Sequence, residues 1–227
     1  MPHNMFGFRE RLSTQDVLLQ LKMQVIDPLN KRSRRAIFAL DLKGTFDNVK
    51  HSKILENLRK TQCGGRTFEF IRDLLLDRQA HVNIGDFRSQ PLPMGTRGTP
   101  QGAVLSPLLF NIDLINLPEE LDRIEAIRHA LYADEIRVSV TKGSLGQMEN
   151  ALQEAASTVQ KYADEGGLCF SREKSALLIM LRREDEAPVK IRVHNTAIPE
   201  VETVRILGLL VNNKGVNAAM ITQRRTS

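Results

Sequence analysis

Ile127-Arg128-His129-Ala130-Leu131-Tyr132-Ala133-Asp134-Glu135-Ile136-Arg137-Val138-Ser139-Val140 is the stretch on which the fold turns. After the two acids the alternation is regular. Ile136, Val138 and Val140 share one face, and Arg137, Ser139 and Thr141 the other. A period of two predicts a half-buried strand. Before the acids, Ile127, His129 and Leu131 share a face, so the simplest geometry is a β-hairpin with Asp134 and Glu135 at its tip. Adjacent carboxylates on a tight turn repel each other. They suit a solvated turn, where Asp is common. On this stretch alone the solvated turn is the simpler reading; the sharper one is a divalent cation, which removes the repulsion and is held by one or two carboxylates plus substrate phosphates. The cation reading needs a further carboxylate from elsewhere in the chain.

The same tetrapeptide recurs at Tyr162-Ala163-Asp164-Glu165. There it follows Leu152, Ala155, Ala156 and Val159 at helical spacing and precedes Gly166-Gly167. That copy predicts the last turn of an amphipathic helix over 146–165 with a glycine stop. The four residues carry little information alone; their strand context at 132–135 carries it.

The 227 residues are 41% hydrophobic and 26% charged, enough for a sizeable core in one large domain or one and a half smaller ones. No run of 18 apolar residues predicts a membrane span. Met1-Pro2-His3-Asn4 has none of the features of a signal peptide. Two cysteines, Cys63 and Cys169, predict neither a disulfide framework nor a zinc site, so a reducing, intracellular setting (cytoplasm or nucleus) is expected. The net charge of +5 is compatible with a polyanionic partner, and Lys31, Arg32, Arg34 and Arg35 cluster before an apolar run. Aromatic content of 5% without Trp argues against base-stacking platforms.

Ser13-Thr14-Gln15-Asp16 has the capping pattern of a helix that Pro28 ends. Ala36 to Leu42 is a nearly continuous apolar run, as in a central buried strand. Asp41 lies near its end, where an unpaired carboxylate is costly to bury; a metal removes that cost. Asp47 suits the cap of a helix over 52–60. Further helices are expected over 50–60 and 66–77, and strands over 81–84, 176–181, 191–193 and 204–211. Residues 97–107, Arg-Gly-Thr-Pro-Gln-Gly-Ala-Val-Leu-Ser-Pro, form a loop that permits close backbone approach to a ligand and leads into a helix with Pro107 near its start. It is not a phosphate-binding P-loop.

In this order the segments resemble the palm of a reverse transcriptase, most closely those of non-LTR (LINE-type) retrotransposons. Ala39-Leu40-Asp41-Leu42-Lys43-Gly44-Thr45-Phe46-Asp47 resembles the first palm motif, the Pro100-Gln101-Gly102 loop the second, and Tyr132-Ala133-Asp134-Glu135 the third. Gly167-Leu168 with Lys174-Ser175 resembles the fourth, and Leu207-Gly208 the start of the fifth. The resemblance implies an RNA-directed DNA polymerase acting on an RNA template, a DNA primer and dNTPs, with Mg²⁺ or Mn²⁺ held by Asp41, Asp134 and Glu135. It implies Leu42, Lys43, Phe46, Gln101 and Gly102 at the nucleotide, Arg97 on the template, and Lys174 at the leaving pyrophosphate as a general acid. The fold it implies is α+β: an antiparallel, ferredoxin-like palm sheet with helices on one face and a partial fingers layer from 1–35 and 60–100. The domain is expected over 1–211, with 212–227 a truncated tail. Glu135 stands where the family usually has a second Asp, and its extra methylene shifts a carboxylate by ~1.5 Å, against a catalytic tolerance of about 0.5 Å. With the upstream fingers segment, thumb and endonuclease also missing, a fragment or decayed copy with weak or no activity is expected. The alternative is a non-catalytic remnant that at most binds nucleic acid.

Overall fold

The computed structural model describes residues 1–27, 33–100, 102–183 and 185–216. Helix α1 (Thr14–Leu21) opens on a reciprocal Ser13–Asp16 capping box and continues as a π-helical turn over Lys22–Ile26. Strand β1 (Arg35–Lys43) follows, then α2 (Thr45–Asn48), α3 (His51–Lys60) and α4 (Gly65–Leu75). Four two-residue strands come next: β2 (Gln79–Ala80), β3 (Asn83–Ile84), β4 (Phe87–Arg88) and β5 (Leu92–Pro93). Helices α5 (Ser106–Asp113) and α6 (Leu117–Asp122) lead into β6 (Ile127–Tyr132) and β7 (Glu135–Val140). The long α7 (Leu145–Gly166) has a Ser144–Gln147 capping box and a left-handed Gly167 C-cap. The chain then runs through β8 (Cys169–Phe170), β9 (Ala176–Met180), β10 (Arg192–Val193), β11 (Thr196–Ala197), β12 (Thr203–Ile206), β13 (Leu209–Asn212) and β14 (Gly215–Val216).

The central sheet is antiparallel, in the order β6-β7-β1, with β8 and β9 sharing the far edge of β1. Ala36 lies opposite Val140 and Asp41 opposite Glu135, so the expected neighbours are neighbours. The two faces of β1 feed two cores. Ala36, Phe38, Leu40 and Leu42 join Ile136, Val138 and Val140 under the helices α3 to α7. Ile37 joins Leu178 and Met180 on the other face, beneath Leu21 and Val25 of the N-terminal helix and Val204, Ile206 and Val211 of the β12–β13 hairpin. A strand buried on both faces reads as a continuous apolar run, which is why β1 was legible. The N-terminal segment also guards the sheet edge: Phe6 N–H donates to Leu131 C=O (2.8 Å) and Leu131 N–H to Asn4 C=O (2.8 Å).

Several expectations are corrected. Strand β7 is not half-buried: Arg137 (3% exposed) and Ser139 (0%) are as hidden as the apolar face, because α1 covers them. The stretch 81–84 yields only β3, hairpinned on β4 through Gly85-Asp86. The stretch 204–211 is two strands, broken at Leu207 (φ 46°) and Gly208 (φ 83°). Regular structure continues past Val211, since Asn212 ends β13 and pairs with Gly215. Asp47 does not cap α3, whose N-cap is Lys50 with no side-chain cap bond. Pro28, Lys31 and Arg32 lie outside the described residues. Among the described residues no helix is long and apolar enough to cross a membrane.

Candidate active site

The β6–β7 hairpin closes with Tyr132 paired to Glu135, leaving Ala133 (φ 52°) and Asp134 as the two-residue turn. Asp134 is therefore the tip, and Glu135 is already the first residue of β7. Directly opposite residues on an antiparallel ladder point to the same face, so Asp41 and Glu135 share the face away from α3 to α7. Leu42 N–H donates to the Asp134 carbonyl (2.9 Å) and fixes the turn to the end of β1. Gly7 makes this fit possible from the other side. A Cβ there would lie 2.4 Å from Ala133 N, and Asn111 Nδ2 donates to the Gly7 carbonyl (2.8 Å).

Asp41 and Glu135 thus lie side by side, with the Asp134 and Lys174 charges near enough to act on both. Lys174 Nζ lies 3.5 Å from Asp41 Oδ1, an ion-pair distance longer than a hydrogen bond. Asp41 is 7% exposed, and its Oδ1 is buried with no hydrogen-bond donor. Burial raises its pKa; Lys174 pulls it back and the Asp134 charge pushes it up again. Glu135 is also raised by burial, with the Leu207 N–H opposing and the Asp134 and Asp41 charges adding to the rise. Its Oε2 accepts from that Leu207 N–H at 3.0 Å. Among the described residues no three His, Cys, Asp or Glu side chains are gathered as a ready-made metal site. A buried Asp41 oxygen whose one partner is the Lys174 ammonium at 3.5 Å, beside a second acid, nevertheless fits a divalent ion whose remaining ligands are phosphate and water.

The other expected residues divide. Lys43 is exposed at the end of β1. Leu42 donates its N–H to the Asp134 carbonyl and its side chain lies in the core (2% exposed). Phe46 is half-buried, its ring 5.6 Å from Phe110 inside and 6.2 Å from the exposed Phe8. Arg97 is exposed, and Gly102 (φ 83°) has open space where a Cβ would go. No hydrogen bond or ion pair joins these two to the acids. Gln101 lies outside the described residues. The close approach expected of the glycine loop is made by Gly98, and to the chain itself: a Cβ there would meet the Asp47 carbonyl at 2.8 Å. Thr99 N–H donates to Phe46 C=O (2.7 Å) and Gly98 N–H to Val49 C=O (2.8 Å), lashing the loop to the segment after β1. The second tetrapeptide sits at the end of α7, with Asp164 on His194 and Glu165 on Lys53. The sequence marks Leu207-Gly208 only as the start of a motif and gives neither Leu207 nor Gly7 a place at the acids; the Leu207-Gly208 dipeptide was the available turn signal.

Sheet, helix layer and acid-bearing hairpin together define an α+β polymerase fold. Apo telomerase from Candida tropicalis, truncated from its C-terminal domain, has the same fold at 13% identity (TM-score 0.64, covering 94% of this chain and 40% of that one). The chain belongs to the family "Reverse transcriptase (RNA-dependent DNA polymerase)", which it matches over residues 1–211. Relatives include RNA-directed DNA polymerases of non-LTR retrotransposons. It is 24% identical to the RNA-directed DNA polymerase from mobile element jockey of Drosophila melanogaster, over 94% of this chain and 24% of that protein. It is 26% identical to the Pol polyprotein from type-1 retrotransposable element R2 of Nasonia vitripennis, over 84% of this chain and 20% of that protein. The chain thus spans about a quarter or less of the length of these relatives.

Proposed function

We propose that this chain carries the catalytic part of an RNA-directed DNA polymerase, adding deoxynucleotidyl units to a primer 3′-hydroxyl on an RNA template. One observation carries the reading: the β1–β7 register sets Asp41 opposite Glu135 on one face, and the Leu42–Asp134 bond fixes the turn that carries Asp134 to the end of β1. In the reaction the primer oxygen bonds to the α-phosphorus of a dNTP, and the bond from that phosphorus to the bridging oxygen breaks, releasing pyrophosphate. Asp41 and Asp134 hold the divalent ions, Mg²⁺ or Mn²⁺. When bound, the ions supply Lewis-acid stabilisation of the attacking and leaving oxygens. Lys174 stands beside Asp41, placed to pass a proton to the departing pyrophosphate. Lys43 offers an exposed charge to the triphosphate, Phe46 an apolar surface to the sugar, and Gly102 with Gln101 a backbone that can approach the nucleotide. Arg97 faces the template.

A second reading, a remnant that binds template and primer without catalysis, draws support from Glu135, whose carboxylate is engaged by Leu207. Primer extension on an RNA template with Mg²⁺ separates the two. Weak incorporation that disappears in Asp134→Asn supports the polymerase; binding of template and primer with no incorporation supports the remnant. Extension that survives Asp134→Asn overturns the assignment of the acids.

A further inference from the structure

Glu135 is the residue by which this chain departs from its family's pattern, and the structure gives it other work. The β12–β13 hairpin closes with Ile206 paired to Leu209, so Leu207 and Gly208 are its two central residues, both at positive φ. The left-handed region costs a branched side chain about 1–2 kcal/mol, so Leu207 must be held there. Its N–H has no ladder partner. It donates instead to Glu135 Oε2 at 3.0 Å.

The bond adds a polar contact to a hairpin seated by apolar packing, with Leu207 and Leu209 partly buried against the core beneath it. Val204, Ile206 and Val211 pack on Ile37, Leu178 and Met180. Toward the acids, the hairpin and the sheet are separated by a cavity of about 500 Å³, lined by Asp41, Glu135, Arg137, Lys174, Ile206 and Gly208. The Glu135–Leu207 hydrogen bond spans that gap at its acid end. Reach explains the residue. An aspartate is shorter by one C–C bond, ~1.5 Å, and from the same backbone position its oxygen falls outside hydrogen-bond range of Leu207.

We propose that Glu135 is a positioning residue: it holds the Leu207-Gly208 turn against the acid end of the sheet, and leaves the divalent ions to Asp41 and Asp134. This rests on the reading of those two aspartates as ion ligands. The role needs an acceptor oxygen at the right distance and does not need a negative charge. An ion ligand needs the negative charge as well as the distance. Two substitutions in the 227-residue chain therefore separate the roles: Glu135→Gln keeps reach and loses charge, and Glu135→Asp keeps charge and loses reach.

Two quantities are read for each variant, hydrogen exchange at the Leu207 amide and Mn²⁺ affinity by calorimetry, with circular dichroism confirming the fold. Glu135→Gln is expected to keep both within about threefold of the parent. Glu135→Asp is expected to speed Leu207 exchange about tenfold, as loss of a hydrogen bond implies, while Mn²⁺ affinity stays within about threefold. Mn²⁺ affinity falling tenfold in Glu135→Gln overturns the proposal, as does unchanged Leu207 protection in Glu135→Asp. Asp41→Asn and Asp134→Asn are measured alongside. If neither weakens Mn²⁺ binding, the polymerase reading fails, and the Leu207 result still shows whether the tether exists.

Discussion

Lys174 Nζ lies 3.5 Å from Asp41 Oδ1, an exposed ammonium against a buried acid. The lysine is 68% exposed at its side chain, so the pair contributes under about 1 kcal/mol to stability. Its effect falls on protonation. Burial raises the Asp41 pKa and Lys174 opposes that rise. Lys174→Met is expected to raise it further while leaving the melting temperature within about 2 °C of the parent, as small a change as the weak pair implies. Carboxyl NMR titration reads the shift. An unmoved Asp41 titration in the variant means the pair does not form in solution.

Asp113 makes stability depend on pH. It is 0% exposed on α5, and neither carboxylate oxygen has a hydrogen-bond partner. Burial raises its pKa from 3.8 to about 7, against the pull of Lys53 and Lys50. The folded value lies above the unfolded one, so the folded chain binds the proton more tightly. The stabilisation is complete below about pH 4 and is lost as pH rises to about 7. Asp113→Asn, which cannot ionise, is expected to match the parent at pH 4 and exceed it above pH 7, by on the order of 4 kcal/mol at most. Urea unfolding across that range checks it; parallel pH curves for the two proteins contradict it.

Arg137 predicts an unusual sign. Its guanidinium is buried, Nη2 donates to Gln20 Oε1 at 2.9 Å, and Nε and Nη1 have no partner. Burial lowers its pKa only to about 10, so the charge remains at neutral pH. Arg137→Met keeps the length and removes the charge, and is expected to be neutral or to stabilise by about 1–4 kcal/mol. Gln20→Ala, which strips the charge of its one partner, is expected to destabilise by about 1–3 kcal/mol. Denaturant midpoints decide, and a strongly destabilised Arg137→Met shows that the guanidinium has partners in solution.

Gly7→Ala should push on the turn that carries Asp134, because its new Cβ lands 2.4 Å from Ala133 N. The chain is expected to lose about 1–3 kcal/mol and to bind Mn²⁺ more weakly. Gly64→Ala is the control, having open space around its Cβ position. Equal effects of the two substitutions refute the packing argument.

What was legible in the sequence followed from burial and capping. Strand β1 is covered on both faces and reads as a continuous apolar run; α1 announces itself by its capping pattern and α7 by helical apolar spacing and a glycine stop. What was not legible depended on contacts distant in sequence. Arg137 and Ser139 read as solvent-facing because nothing local says that the N-terminal helix covers them. The Leu207-Gly208 break was hidden by apolar residues on both sides. Asp41 and Asp134 could be singled out, Asp41 by its cost of burial and Asp134 by its strand context. That Leu42 N–H ties them together, and that Glu135 reaches Leu207, required the fold.

The β1–β7 register has a further consequence for error tolerance. Slipping one strand by a single residue turns every side chain to the opposite face. Here that move would drive Arg137 into the core around Phe38 and bring Ile136 out beside Asp41. The same slip would also swing one acid away from the other. The alignment of the acids is therefore proofread by the greasy interior: any misregistered chain loses its core before it can present a wrongly assembled site. A site of this kind tolerates drift at its surface loops far better than drift in Phe38, Ile136 or Val138, which never touch the chemistry.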